Sequence, residues 1–304
     1  MLRHETFTIY YYLWGGLVFQ RKSLGDIFNI LFMGKFILML LISSIFGLNA
    51  DAQDAVPAKM EVKYLVSYVA DTVKNTVLAD TFCLRMNDEK SLFYEQDTYM
   101  KDSLRHYDRA KWSDMMSKAL TTPTSKNKGD AEYYVLTDYE HHTYLYQDGI
   151  FCSSYRYSDS IPSFDWQILP EYKIIGKNKC QKALGFYMGR KYEAWFAVDL
   201  PIKASPWKFY GLPGLIMEVY DTQHLYTFTM IDMYPCSGEI GLFSSRHFKT
   251  SKNKFLQELM LYLKDPIDYQ ENHSLIKIHF GDSSQELVSE MRNTCRHLPM
   301  ELLK

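Results

Sequence analysis

Residues 60–68 read Met-Glu-Val-Lys-Tyr-Leu-Val-Ser-Tyr, and this stretch decides the class of fold. Successive side chains of a strand point to opposite faces of a sheet. Glu61, Lys63 and Ser67 therefore share one face, and apolar or aromatic residues occupy the other. The members of that apolar face are Met60, Val62, Tyr64, Val66 and Tyr68. The pattern predicts a half-buried strand.

The same alternation returns further along the chain. Tyr192–Leu200 alternates in this way, and Gly189-Arg190 separates it from Cys180–Met188, which favours a hairpin. Leu215–Tyr220 and Leu225–Met233 form a second predicted pair across Asp221–His224. Gln147-Asp148-Gly149 is a turn signal. Shorter predicted strands are Thr81–Met86, Ser91–Glu95, Tyr133–Thr137, Tyr144–Gln147, Ile150–Tyr157 and Leu275–Phe280.

Three segments have apolar residues at helical spacing. They are Ser103–Leu120, Lys252–Leu263 and Gln285–Arg296, the last opened by a capping box at Ser283–Glu286. The polar stretch Thr121–Asp130 is predicted to be an exposed loop. Many neighbouring strands with few helices favour an α+β, mainly β fold. We expect a curved antiparallel sheet, half-barrel or barrel-like, with a few helices on one side.

The charge composition argues against a nucleic-acid partner. The 304 residues include 34 Lys+Arg and 36 Asp+Glu, a net charge of −2. A nucleic-acid-binding protein normally shows a basic excess, so we expect no nucleic-acid partner. Aromatic residues make up 15%, with 24 Tyr and 18 Phe, which agrees with a β-rich fold.

The N-terminal region resembles an export signal. Lys35 precedes the largely apolar run Phe36–Leu48, which is followed by Asn49-Ala50-Asp51-Ala52. This order is typical of a secretory signal peptide, so we expect residues 33–52 to be removed. We interpret residues 1–32 as an extension from a mis-called start, and residues 53–304 as a single β-rich domain. The alternative is an uncleaved anchor lengthened by Ile27–Phe32.

Five cysteines lie in that domain, and exported compartments permit disulfides. Their number is odd and their spacing is irregular, without a CxxC pair. Two interpretations stay open: small buried apolar residues, or one intramolecular bridge. The cysteines are Cys83, Cys152, Cys180, Cys236 and Cys295.

Sequence signatures of catalysis and metal binding are weak. GxSxG, HExxH, GxGxxG and the P-loop pattern are missing from the sequence. Glu140-His141-His142, Met230/Met233/Cys236 and Cys295/His297/Met300 have ligand-type residues, but core packing or a solvated turn explains each of them better. We therefore expect neither metal nor cofactor. A hydrolase would use Glu193, Glu218, Asp221 or His224, with the Cys180 thiol as a variant nucleophile.

A recognisable set of residues spans 164–221. It includes Phe164-Asp165-Trp166, Cys180, Gly189-Arg190, Trp195, Pro206-Trp207-Lys208-Phe209, the hexapeptide Gly211-Leu212-Pro213-Gly214-Leu215-Ile216, Glu218 and Asp221. This order resembles the GLPGLI family, exported proteins of Bacteroidota named for that hexapeptide. Ser205 departs from the Gly that the family often has before the Pro. The resemblance implies export to the periplasm or outer membrane and implies no activity.

The hexapeptide can also be interpreted physically. Gly211 and Gly214 permit positive φ or close backbone approach, and Pro213 fixes φ between them. A buried tight turn leading into the strand Leu215–Tyr220 is the interpretation that we favour over a ligand loop. We also expect a structural role for the other residues of the family motif, which are Cys180, Gly189, Leu212, Ile216, Glu218 and Asp221.

Three functions remain open at this point. The first is a non-catalytic periplasmic binding or carrier module for a hydrophobic molecule or peptide. Its candidate ligand-binding residues are Trp166, Arg190, Trp195 and Trp207. The second is a partner of an outer-membrane or envelope protein, acting through an exposed surface or sheet edge. The third is the hydrolase described above. The oligomeric state is left open.

Overall fold

A computed structural model describes residues 7–13, 16–22, 55–119, 131–243, 245–274 and 299–301. Sixteen strands lie in these ranges. In chain order they are β1 Phe7–Leu13, β2 Gly16–Lys22, β3 Val56–Pro57, β4 Met60–Asp71, β5 Thr76–Met86, β6 Lys90–Glu95, β7 Tyr134–Asp138, β8 Thr143–Ile150, β9 Ser153–Ser160, β10 Gln167–Ile175, β11 Asn178–Tyr187, β12 Arg190–Ala197, β13 Ile216–Asp221, β14 Tyr226–Pro235, β15 Glu239–Ile240 and β16 Phe248–Lys249.

Twelve of these strands form one sheet. Their order is β10-β11-β12-β13-β14-β4-β5-β6-β7-β8-β9-β16, and every described neighbour pair is antiparallel except β9 with β16. Strands β10 and β16 lie at opposite ends, so the sheet is not closed. This architecture confirms the predicted mainly β fold with a large, predominantly antiparallel sheet. The pairs β1–β2 and β3–β15 are separate two-stranded sheets.

The helices are α1 Gln96–Tyr107, α2 Arg109–Ala119, α3 Lys252–Lys264 and the single turn α4 Pro266–Asp268, followed by a π-turn at Tyr269–His273. The segment predicted as one helix from Ser103 is two helices, because Asp108 leaves helical geometry at φ −144° and its carboxylate caps Lys111 N. Helix α3 confirms the helix that the sequence predicted over Lys252–Leu263.

Within the described ranges no helix is long and apolar enough to cross a membrane. Thr121–Asp130, Leu275–Phe280 and Gln285–Arg296 lie outside the described residues.

Two predicted hairpins are confirmed and one turn is wrong. The β11–β12 hairpin turns at Met188 and Gly189, both with positive φ, and β13 turns into β14 through His224. The turn predicted at Gln147–Gly149 is instead the interior of β8, and the chain reverses one step later at Phe151, where φ is +55°. Asp148-Gly149 does not form a turn because both residues pair with Tyr155 and Ser154 of β9 and so continue the strand.

The core lies between distant parts of the curved sheet. The connection between β12 and β13, residues 198–215, packs against the inner face of the sheet and contributes Trp207, Phe209 and Leu215 to the core. The Phe209 ring meets Phe228 of β14 at 5.3 Å. Because Lys208 of this connection also contacts Tyr146 of β8 and Tyr157 of β9, it joins strands that are far apart in the sheet order.

The hexapeptide forms the end of this connection. Gly211 has a φ of +107°, which favours glycine. Gly214 meets a different constraint, because a Cβ added there would lie 2.1 Å from the carbonyl oxygen of Ala197. The neighbouring apolar residues Leu212, Leu215 and Ile216 are buried. The turn therefore brings two backbone segments into direct contact.

Replacing Gly214 by Ala is expected to destabilise the protein by at least about 2 kcal/mol, because overpacking against a fixed carbonyl forces the backbone apart. The matched control is Gly149→Ala, since a Cβ there meets its nearest atom at 3.5 Å. Urea unfolding measures both variants. Equal midpoints for the two variants would contradict the packing argument.

Candidate functional site

A lysine ammonium lies in the centre of the aromatic core. Lys208 follows Trp207 on the β12–β13 connection, and its side chain is 0% exposed. The Lys208 Nζ atom lies 4.2 Å from the ring centre of Tyr146, 5.0 Å from that of Tyr144 and 5.1 Å from that of Trp207. It also donates a hydrogen bond of 2.9 Å to the Tyr157 hydroxyl. Aromatic faces attract a cation, so this cage suits an ammonium group.

The counter-charge comes from the C-terminal end of the described chain. Glu301 accepts hydrogen bonds from Lys208 Nζ at 2.6 Å and from the Tyr187 hydroxyl at 2.8 Å, and its second ammonium partner, Lys252 Nζ, lies at 2.8 Å. Lys252 is the first residue of α3, and Tyr187 is the last residue of β11. One carboxylate thus joins the sheet, the buried connection and a helix.

Burial shapes the ionisation of this pair. Burial alone would raise the pKa of Glu301, but the charges of Lys208 and Lys252 and their hydrogen bonds lower that pKa to about 2. Burial lowers the pKa of Lys208 to about 8, although the Glu301 carboxylate acts in the opposite direction. The carboxylate therefore stays charged well below neutral pH.

Arg190 provides a second contact to the same C-terminal segment. Its guanidinium donates to the carbonyl oxygen of Pro299 at 2.8 and 3.1 Å, and Nη1 lies 3.4 Å from the Asp221 carboxylate. The Tyr192 hydroxyl donates to the carbonyl oxygen of Met300 at 3.1 Å. Arg190 and Asp221 are buried together on the inner face. Arg190, a ligand-binding candidate from the sequence, therefore binds a backbone carbonyl and a carboxylate of its own chain.

The sequence-predicted tryptophans fall in two places. Trp207 is packed in the core at 5.0 Å from the Phe209 ring, and its φ is +49°, a strained value for a bulky residue. Trp166 stacks on Phe164 at 5.3 Å and donates to the carbonyl oxygen of Tyr210. Trp195 lies on the opposite face of the sheet. The three indoles therefore do not line one pocket.

Little room is left beside the ammonium group. A cavity of about 10 Å³ lies next to Lys208, between Tyr144, Trp207 and Ile161. That volume is about what one water molecule needs. In this part of the chain, the protein's own side chains fill the concave side of the sheet.

The outer face carries a ladder of charges around Trp195. Lys173 Nζ lies 4.3 Å from the Trp195 ring centre and pairs with Glu218. Lys182 Nζ pairs with Glu193 at 3.1 Å, and the Trp195 Nε1 donates to the Glu193 carboxylate at 3.0 Å. These groups stabilise one another at the surface.

The hydrolase candidates are divided between the two faces of the sheet. Glu193 and Glu218 lie on this outer face, whereas Asp221 is buried on the inner face with Arg190. His224, in the β13–β14 turn, stacks on Tyr220 at 4.5 Å. Burial raises the pKa of the Cys180 thiol, which makes it a poorer nucleophile.

The candidate metal ligands and the cysteines form neither a metal site nor a disulfide among the described residues. The described residues hold no group of three His, Cys, Asp or Glu side chains that could bind a metal ion. Glu140-His141-His142 forms an exposed turn, and Met230, Met233 and Cys236 lie on or just after β14. Cys295 and His297 lie outside the described residues. Within the described part of the chain, Cys83, Cys152, Cys180 and Cys236 are not disulfide-bonded to one another.

Strand β10 ends the sheet on one side. It is hydrogen-bonded to β11 and to no other described strand. Three apolar side chains are exposed along it: Ile168 at 45%, Tyr172 at 51% and Ile174 at 68%. The Lys179 ammonium lies 4.4 Å from the Tyr172 ring centre. An edge strand presents unpaired backbone groups that can bind another strand.

Sequence reasoning missed the buried cluster of Lys208, Lys252, Glu301 and Tyr187. One local signal was present, because Lys208 is a single charge enclosed by aromatic residues in Trp207-Lys208-Phe209. Glu301 carried a similar signal, as a single charge between Leu298-Pro299-Met300 and Leu302-Leu303, whereas polar residues surround Lys252.

Comparison with known proteins gives a short match. Residues 186–218 match the family model described as "Protein of unknown function (Porph_ging)", a stretch that contains the hexapeptide. Part of the chain is therefore similar to a family of unknown function. No curated protein matches the chain.

Two solved structures are distantly similar. They are structures of PNGF-II in space groups P21 and C2, with TM-scores of 0.45 and 0.44 at 10% identity. Each match covers 66% of this chain and 32% of that protein, so this chain spans about a third of its length. A likeness this distant has no bearing on function.

Substituting Gln for Glu301 is expected to flatten the acid limb of the stability curve. The folded pKa of about 2 lies below the ordinary 4.5, so Glu301 contributes stability above pH 4.5 that is lost as the pH falls towards 2. The contribution is on the order of 3 kcal/mol. Urea unfolding between pH 6 and pH 2.5 measures it.

The control is Glu171→Gln, an exposed carboxylate on β10. It should leave the acid limb unchanged. An acid limb as steep in Glu301→Gln as in the wild type would mean that Glu301 does not hold the charge assigned to it.

Proposed function

We propose that this protein is an exported, non-catalytic binding module of the bacterial envelope, and that its ligand is an extended segment of another protein that adds to strand β10. The observation that carries the proposal is the edge of β10, which pairs on one side only among the described strands, with its exposed Ile168, Tyr172 and Ile174. Strand addition gives affinity through main-chain hydrogen bonds and specificity through alternate side chains.

The charge of this edge favours an acidic partner. Residues 167–187 carry four lysines and one glutamate, although the whole chain has a net charge of −2. Lys173 and Lys182 are paired with Glu218 and Glu193, whereas Lys177 in the turn before β11 and Lys179 at its start are exposed. Opposite charges across an interface speed association and fix the register of the partner.

The interior is a less favourable location for a ligand. Among the described residues, Trp207, Phe209 and the Lys208 cage fill the concave side of the sheet, and the small cavity there has room for about one water molecule. A hydrophobic carrier normally needs a pocket of at least about 300 Å³. We therefore place the ligand at the edge and favour an envelope protein over a lipid or other small hydrophobic molecule.

The cellular location is part of the proposal. We infer that residues 33–52 are removed during export, that residues 1–32 are an upstream extension, and that the domain 53–304 acts in the periplasm or at the outer membrane. We also infer membership of the GLPGLI family of Bacteroidota. The hexapeptide at 211–216 and its overlap with the matched stretch 186–218 support this assignment.

A labelled eight-residue peptide of alternating Val and Glu tests the edge. We expect wild-type protein to bind it, measured by fluorescence anisotropy. Ile174→Asp should weaken binding at least about tenfold, or about 1.4 kcal/mol, because it removes an apolar contact and adds like charge. The matched control is Ile231→Asp on β14, which is 52% exposed and far from β10 in the sheet order.

A second peptide with N-methyl groups on alternate residues cannot pair its backbone with a strand. Equal affinity for the methylated and unmethylated peptides, or equal losses in the two Asp variants, would exclude strand addition at β10. Affinity-tagged protein crosslinked in its host provides the cellular counterpart: partners should be lost from Ile174→Asp and retained by Ile231→Asp.

Export has a separate test. Intact mass spectrometry of protein recovered from the host periplasm should give a chain that begins at Gln53. Protein that stays with the membrane and retains residues before 53 would support the uncleaved anchor instead.

A further inference from the structure

The C-terminal segment Pro299-Met300-Glu301 is held in the way that a receptor holds a peptide. Two of its contacts are to backbone carbonyls: Arg190 binds that of Pro299, and Tyr192 binds that of Met300. Such contacts do not depend on which side chain the segment carries at those positions. Glu301, which is 5% exposed, is the residue of this segment whose side chain is bound through its charge.

The carboxylate site is assembled from three elements. Lys208 comes from the β12–β13 connection, Tyr187 from β11 and Lys252 from α3, and all three bind the Glu301 carboxylate within 2.8 Å. Charge-assisted hydrogen bonds of this kind are strong and select for a carboxylate over an amide.

The receptor groups have partners apart from the segment. Arg190 is held by Asp221 at 3.4 Å and lies 5.6 Å from the Tyr226 ring. Lys208 is held by its tyrosine cage, and Lys252 Nζ lies 3.8 Å from the Asp159 carboxylate. Binding groups that are already oriented lose less freedom when a ligand arrives, so these partners favour binding at the site.

Leaving the carboxylate site empty has a large cost. Without Glu301, the buried Lys208 ammonium would lose its closest anion, and breaking a buried pair costs about 3–5 kcal/mol. Another anion of the same shape would recover part of that free energy. The site therefore requires a carboxylate, and the chain's own segment is one way to supply it.

We propose that these residues form a binding site for an extended peptide that presents two backbone carbonyls followed by a glutamate side chain. Residues 299–301 are its internal ligand, and an acidic peptide from another protein binds in exchange with them. The site lies on the inner face of the sheet and is separate from the edge of β10. Its ligand differs from the proposed edge ligand, because it needs one buried carboxylate rather than an extended ladder of backbone pairs.

The test supplies the missing carboxylate in trans. Glu301→Ala removes the internal carboxylate and retains the rest of the chain. The acetylated, amidated tripeptide Pro-Met-Glu is titrated into this variant and into wild-type protein, with Pro-Met-Gln as the matched peptide. Thermal unfolding and isothermal titration calorimetry record binding.

We expect Pro-Met-Glu to raise the Tm of Glu301→Ala and to bind it at least about tenfold more tightly than Pro-Met-Gln. Wild-type protein should bind either peptide much more weakly, because its own segment competes. Adding Lys208→Met to Glu301→Ala should abolish the preference for Glu. Adding Ile174→Asp instead should leave it intact, which separates this site from the edge of β10.

Three results would overturn the proposal. One is equal binding of the two peptides to Glu301→Ala, another is equal binding of Pro-Met-Glu to wild type and variant, and the third is a Glu preference that survives Lys208→Met. If Glu301→Ala does not fold, Glu301→Gln is used in the same titration. Recovery of folded protein by Pro-Met-Glu would then support the site, and lack of recovery would count against it.

Discussion

The structure depends on keeping one ammonium group charged inside an aromatic core. Burying a charge without partners costs far more free energy than any single apolar contact around it contributes. Lys208 meets this constraint with three tyrosine rings, the Trp207 ring and the Glu301 carboxylate. Strands β8 and β9, the β12–β13 connection and the segment that supplies the carboxylate are therefore held together around this group.

The curvature of the sheet follows from the same packing. Flat sheets expose one face, whereas this sheet encloses the connection 198–215 on its concave side. Trp207 accepts a strained φ there, and Gly214 lets the connection touch the backbone of β12. These local costs are offset by burial of large aromatic rings. The GLPGLI hexapeptide is thus the point at which the buried connection rejoins the sheet as β13.

Buried and exposed chemistry have separate roles in this molecule. The inner face carries ion pairs that are satisfied by the chain itself, such as Arg190 with Asp221. The outer face and the edge of β10 carry exposed aromatic, apolar and lysine side chains. This division separates the hydrolase candidates: Glu193 and Glu218 face outwards, whereas Asp221 faces inwards with Arg190. Successive side chains of a strand point to opposite faces of the sheet.

Much of the fold could be predicted from local sequence, and the site could not. Alternation in 60–68 and in 192–200 predicted two strands of the large sheet, and Gly189 marked the β11–β12 hairpin, because these signals act between neighbours in the chain. The Asp148-Gly149 signal failed where strand pairing outweighed it. Only the tertiary structure decided that Glu301 meets Lys208, residues 93 positions apart. That contact depends on how far the sheet curves and where the C-terminal segment docks, and neither leaves a periodic trace in the sequence.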